Sequence, residues 1–148
     1  MKKLFNVMLS VALMAMMCLP ANAQEPTQPK QTNITVLENG YAISEEIIVC
    51  PNTRSTDYTA TKKATITKSG TTIAVVAVTA TFRYDGVTVS VISKSVSQKD
   101  TYDGWNYSQT SLISSGGTVT LNYKLTKWLI LSNSYTMTLT CDKNGNLS

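Results

Sequence analysis

From residue 58 onward the chain alternates apolar and polar positions with a period of two, and no stretch keeps the 3.6-residue repeat of an amphipathic helix. Strands are therefore predicted throughout. In "TATFRYDGVTVSV" (79–91), Ala80, Phe82 and Tyr84 fall on one face, which continues upstream through Val78, Val76 and Ala74. Thr79, Thr81 and Arg83 take the other face. Asp85-Gly86 interrupts the alternation and predicts a two-residue type I′ hairpin, a turn whose two central positions both need positive φ. Such a turn pairs Tyr84 with Val87, Phe82 with Val89 and Ala80 with Val91.

The preceding "ITKSGTT" tests the same logic. A two-residue Ser69-Gly70 turn would set Ile66 opposite Ile73, on the wrong face. A three-residue Lys68-Ser69-Gly70 loop, with Gly70 in the left-handed position of a bulge, pairs Ile66 with Thr72 and Ala64 with Ala74. That register keeps Tyr58, Ala60, Ala64 and Ile66 on the core face and leaves Lys62 as the one misfit.

Further along, Val119, Leu121, Tyr123 and Leu125 are expected inward, as are Tyr135, Met137, Leu139 and Cys141. Ser115-Gly116-Gly117 is the turn between the first of these strands and one spanning residues 105–113. Near the start, "ITVLENGYAI" reads as a hairpin about Asn39-Gly40, extended by "EEIIVCPN". About seven half-buried strands do not fit one flat sheet, so the pattern predicts two antiparallel sheets packed face to face, an all-β, immunoglobulin-like β-sandwich.

The first residues follow another rule. Lys2 and Lys3 precede an apolar run from Leu4 to Leu19, then Pro20 and the small-x-small triplet Ala21-Asn22-Ala23. This predicts a signal peptide over 1–23, cleaved after Ala23, a polar linker over 24–33 and a single domain over 34–148. The run falls short of the roughly 20 apolar residues that span a bilayer. Met16 and Met17 stand before Cys18 where a lipoprotein signal needs small residues, so lipid anchoring is not expected.

The full chain carries 13 basic and 9 acidic residues, and loss of Lys2 and Lys3 leaves eleven against nine, a net charge of +2. The lysines are scattered, with only Lys62-Lys63 adjacent, so no nucleic-acid face is expected. Histidine is absent, which removes the commonest general base and metal ligand. No G-x-S-x-G occurs, and no paired acids stand where burial would raise a carboxyl pKa. No catalytic residue, cofactor or metal site is assigned, and an enzyme is not expected.

Asp142-Lys143-Asn144-Gly145-Asn146 has the look of a calcium loop. A helix-flanked loop of that kind spreads its oxygen ligands over about twelve residues and closes on a bidentate Glu. No Glu follows Asp142, and an Asn-Gly turn is the simpler account.

After signal removal, Cys50 and Cys141 remain, and an exported chain with an even count commonly pairs them. A bridge closing a loop of about 90 residues would stabilise by roughly 4–5 kcal/mol and hold the N-terminal segment against the final strand. The alternative is two buried thiols.

Two stretches suggest binding. "DTYDGWNYS" gathers Tyr102, Trp105 and Tyr107 beside Asp100 and Asp103, the mixture of flat faces and polar groups that sugar or peptide recognition uses, unless Trp105 and Tyr107 begin a strand facing the core. "KWLILSN" (127–133) lacks alternation and reads as a strand buried on both sides, or else as a patch for a partner or membrane.

The stretch Thr79 to Gly86, a tryptophan strand after it, and "LTCDKNGN" from Leu139 to Asn146 resemble a group of uncharacterised small exported all-β proteins of Gram-positive anaerobes. The likeness covers residues 58–148. It implies an exported sandwich and no activity. In that pattern the partner cysteine often lies at the position of Val91, which Cys50 would replace here. The expected function is thus a secreted or surface-associated, non-catalytic binding protein with a protein or glycan partner and no membrane contact. A membrane-active or toxin-like secreted protein is the alternative, motivated by the run from Trp128 to Leu131.

Overall fold

The computed structural model describes residues 31–37, 40–50 and 57–148. The expected signal peptide lies outside the described residues, as does most of the expected linker. Eight strands follow one another: β1 (Gln31–Val36), β2 (Tyr41–Cys50), β3 (Asp57–Lys68), β4 (Thr71–Tyr84), β5 (Val89–Thr101), β6 (Trp105–Ser115), β7 (Thr118–Lys127) and β8 (Leu131–Thr140). A 3-10 turn, Trp128–Ile130, joins the last two. The first strand starts inside the expected linker.

β1 to β5 form one antiparallel sheet in sequential order, and β6 to β8 form a second. The two face each other as a β-sandwich. The immunoglobulin-like expectation needs correction, because that fold is wound by Greek-key connections, whereas here, within each sheet, every strand pairs with its chain neighbours. The chain passes from the first sheet to the second through the short 102–104 connection, and short links join the other strands of each sheet to their neighbours.

The core is built as the period of two requires. Ala60, Ala64 and Ile66 of β3 and Ala74, Val76, Val78, Ala80 and Phe82 of β4 face Val119, Leu121, Tyr123 and Leu125 of β7 and Met137 and Leu139 of β8. Each larger side chain so buried stabilises by about 1.5–3 kcal/mol before entropy is counted. Tyr107, Tyr123 and Tyr135 lie side by side on the inner face of the small sheet, their ring centroids 5.6 and 5.4 Å apart. On the outer face of the large sheet, hydroxyls pair across strands instead, Thr59 with Thr81 at 3.0 Å and Thr61 with Thr79 at 2.7 Å.

Both expected hairpins exist, but neither has the expected loop. Between β4 and β5 the loop has four residues, 85–88, so Tyr84 pairs with Val89 and Phe82 with Val91. Gly86 has φ +85°, but Asp85 is not among the residues of positive φ, so the type I′ turn is not formed. The Asp85 carboxylate accepts the amides of Val87 and Thr88 at 2.8 and 2.6 Å, which closes the wider loop. Between β3 and β4 the turn has two residues, Ser69 at φ +49° and Gly70 at φ +82°. The extra residue sits in the strand: Thr67 pairs with Thr72 but Ile66 with Ala74, so Ile73 bulges. Both errors preserve the faces, because each register moves by two.

Lys62, the misfit, is satisfied. Its ammonium lies 3.2 Å from Glu45 of β2 and donates to the carbonyl of Thr138 on β8 at 2.9 Å.

No disulfide joins Cys50 to Cys141. Ile47 and Val49 take the inner positions of β2, so Cys50, the next residue, points out and is exposed. Cys141 faces in, as expected, and is buried. The final residues fold back so that Thr140 and Ser148 exchange main-chain hydrogen bonds of 2.8 and 2.9 Å, and the amide of Gly86 donates to Lys143 at 3.0 Å. Gly117 lies beneath this segment: a Cβ there would stand 2.2 Å from the Cys141 oxygen and 2.6 Å from Val89 Cγ1.

Two predictions follow from this packing. Gly117→Ala should destabilise by about 2–3 kcal/mol in urea unfolding, because neither the Cys141 main-chain carbonyl nor Val89, packed against the core, yields cheaply. The thiol of Cys141, which burial and the neighbouring Asp142 push up in pKa, should resist alkylation until the protein is denatured.

Candidate functional site

The facing ends of β1 and β2, the 69–70 turn, the 102–104 connection between the sheets and the 128–130 turn gather at one end of the sandwich. Six of the ten exposed large hydrophobic side chains among the described residues belong to this end: Val36, Leu37, Tyr102, Trp128, Ile130 and Leu131. Such clustering is unusual for a soluble surface.

Trp128 is 75% exposed and Ile130 86% exposed. The expectation of a strand buried on both sides over residues 127–133 is therefore corrected. Trp128 has φ +49°, a left-handed conformation that a bulky residue rarely adopts, and this breaks the strand and turns the side chains outward. Its indole lies across the 103–104 turn, where a Cβ on Gly104 would come 3.2 Å from Trp128 Nε1. Trp128, Ile130 and Leu131, together with Lys127, frame an apolar crevice of about 390 Å³.

Beside this tip lies a second cleft of about 290 Å³, lined among others by Lys68, Asp103, Trp105 and Lys127. Asp103 (φ +53°) and Gly104 (φ +73°) form a tight turn between the sheets, closed by a 3.1 Å hydrogen bond from the Trp105 amide to the Tyr102 carbonyl. The turn presents Asp103 to Lys127 at 2.6 Å. The Lys68 ammonium stands 5.0 Å from the centre of the Tyr41 ring, which meets Trp105 edge-on at 6.4 Å. The cleft thus offers cations above an aromatic floor, next to an apolar lip.

The three aromatic residues picked from the sequence do not share a surface. Trp105 is 4% exposed and reaches the cleft only from beneath. Tyr107 points into the core, its hydroxyl buried without a hydrogen-bond partner, and Tyr102 alone is exposed. Lys68 and Ile73 were missed, because only the pairing of the two sheets brings their strand ends beside Trp105, Lys127 and Leu131.

The Asp142 turn is self-contained. Asp142 Oδ1 accepts the amides of Asn144 and Asn146, each at 2.8 Å, and Oδ2 accepts the side-chain amide of Asn146 at 2.7 Å. These bonds engage both carboxylate oxygens, and among the described residues no three potential His, Cys, Asp or Glu ligands gather.

Comparison with family models, with curated proteins and with solved structures found no match.

The Asn146 side chain, first, and the turn amides hold the Asp142 carboxyl below its ordinary 3.8. A depressed carboxyl pKa contributes stability that is present above the unfolded value and lost as pH falls through the folded one. Thermal melts should therefore show stability falling as pH drops below about 4, with Asp142→Asn flattening part of that fall. A variant whose acid sensitivity matches the wild type would show that the turn is not held by the charge.

Proposed function

We propose that the protein is exported, with residues 1–23 removed after Ala23, and that it acts as a non-catalytic binding protein, docking end-on through the Trp128 tip and the Lys68–Lys127 cleft. The observation that carries this reading is the placement of six exposed hydrophobic side chains at one end of the sandwich. Burying such groups against a partner is favourable at about 25 cal/mol per Å², whereas leaving them in water brings the fold no benefit. The Lys2-Lys3 start, the apolar run and Ala21-Asn22-Ala23 support export. The resemblance to small exported all-β proteins points the same way, though it names no ligand.

Arrays of glycans, extracellular proteins and isolated cell envelopes, probed with residues 24–148, test the reading. At least one surface should retain the chain, and Trp128→Ser combined with Ile130→Ser should weaken retention by about tenfold or more. Retention untouched by the two substitutions, or no retention on any surface, would overturn it.

A further inference from the structure

We propose that the surface this end recognises is a phospholipid bilayer, into whose interface Trp128 and Ile130 insert while Lys68 and Lys127 meet the headgroup phosphates. This deepens the end-on reading and rests on it. It also departs from the sequence-based expectation of a protein or glycan partner.

Three observations favour a bilayer. The exposed apolar groups sit on separate connections, Leu37 after β1, Tyr102 after β5 and Trp128, Ile130 and Leu131 about the start of β8. β2 and β5 are three strand spacings apart, or about 14 Å. Tips spread over such a distance match a broad, flat surface better than the groove of a single partner. Next, the tip offers little for directional recognition. Among the described residues, the only polar side chain framing its crevice is the Lys127 ammonium, whose stem can lie along apolar surface while its charge stays at headgroup level. Finally, Trp128 is held rather than free: its backbone is at φ +49° and its indole leans on the Gly104 turn. Tryptophan settles at the membrane–water boundary because its ring is apolar and its N–H is not.

Charge adds to this. Lys127 is paired with Asp103, but Lys68 is stacked on Tyr41 at the mouth of the cleft. A lysine near an anionic leaflet gains attraction that salt screens away. Docking is shallow, since three exposed side chains on one turn reach only the interface, and the apolar faces of the strands are already used between the sheets.

The two tryptophans make the test direct. Trp105 is 4% exposed and Trp128 75%, so a change in emission on binding reports Trp128. The mature chain, residues 24–148, is mixed with vesicles of phosphatidylcholine alone or of phosphatidylcholine and phosphatidylglycerol in equal parts. The chain should sediment with both, about fivefold more tightly with the anionic vesicles at low salt, and its emission should shift to the blue. Trp128→Ser with Ile130→Ser should weaken sedimentation by about a hundredfold at an unchanged melting temperature. If that variant folds poorly, Ile130→Ser alone should still weaken it several-fold, since this side chain contacts little of the protein. Failure to sediment with either vesicle, or binding indifferent to these substitutions, overturns the inference. If vesicles fail while a glycan or protein surface still depends on Trp128, the lipid inference falls and the end-on reading stands.

Discussion

Five strands face three across a single core, and that mismatch governs the rest of the molecule. β8 packs over β3, so β2 and β1 lie toward the margin of the smaller sheet, although Ile47 and Val49 of β2 are still covered. At that margin an inward-pointing residue is neither fully buried nor free in water. Lys62 and Glu45 occupy it, with side chains 12% and 29% exposed. Partial solvation keeps the cost of placing two charges there small, and their 3.2 Å contact offsets much of the remainder. The same ammonium binds the Thr138 carbonyl and so ties β3 to β8. A residue that breaks the apolar alternation of its strand thus marks where the second sheet stops.

The faces of the strands were legible in the sequence; their registers were not. Alternation tells which side chains share a face, and a register error of two residues leaves that set unchanged. Bulges do leave a trace. Val91 and Val96 both face in, yet an odd spacing separates them, so one residue must be extra; Ile92 is that residue and is exposed. Tyr107 and Leu112 show the same odd spacing across the bulge near Thr110. Ile73 differs, because it bulges and is still buried, serving the core from a position that alternation assigns to the other face. Turn chemistry was ambiguous for a related reason. The chain has two Asp-Gly pairs between strands, and it is Asp103-Gly104, not Asp85-Gly86, that places both residues at positive φ. Asp85 instead spends its carboxylate on two amides of its own loop, an option local sequence does not distinguish.

The candidate site was only partly visible. Trp128 to Leu131 stood out as apolar residues without alternation, but burial on both sides and exposure at a tip give the same one-dimensional pattern. What separates them is the left-handed backbone at Trp128, a conformation no residue preference foretells. Cysteine parity misled for a similar reason. It speaks of composition and compartment, whereas bridging needs two side chains on facing surfaces, and the alternation of Ile47 and Val49 had already turned Cys50 outward. The cleft draws on β3, β4, β6, β7 and β8 as well as the 102–104 turn, so its assembly depends on how the sheets face each other.

A sandwich with open sheets has four edge strands, and each is a potential site for adding another chain. Here β5 and β6 are interrupted by bulges, which twist a ladder away from further pairing. β1 has only six residues. β8 is ten residues long with no charge of its own, but Lys62 occupies its Thr138 carbonyl from the facing sheet. An inward-pointing lysine beside an edge is a recognised obstacle to a new strand, since an incoming chain would have to displace or bury it. All four sides thus carry a feature that discourages pairing. No such guard covers the end that carries Trp128 and Ile130, which is why contact with a partner is better sought at the tips of the hairpins than along the strands.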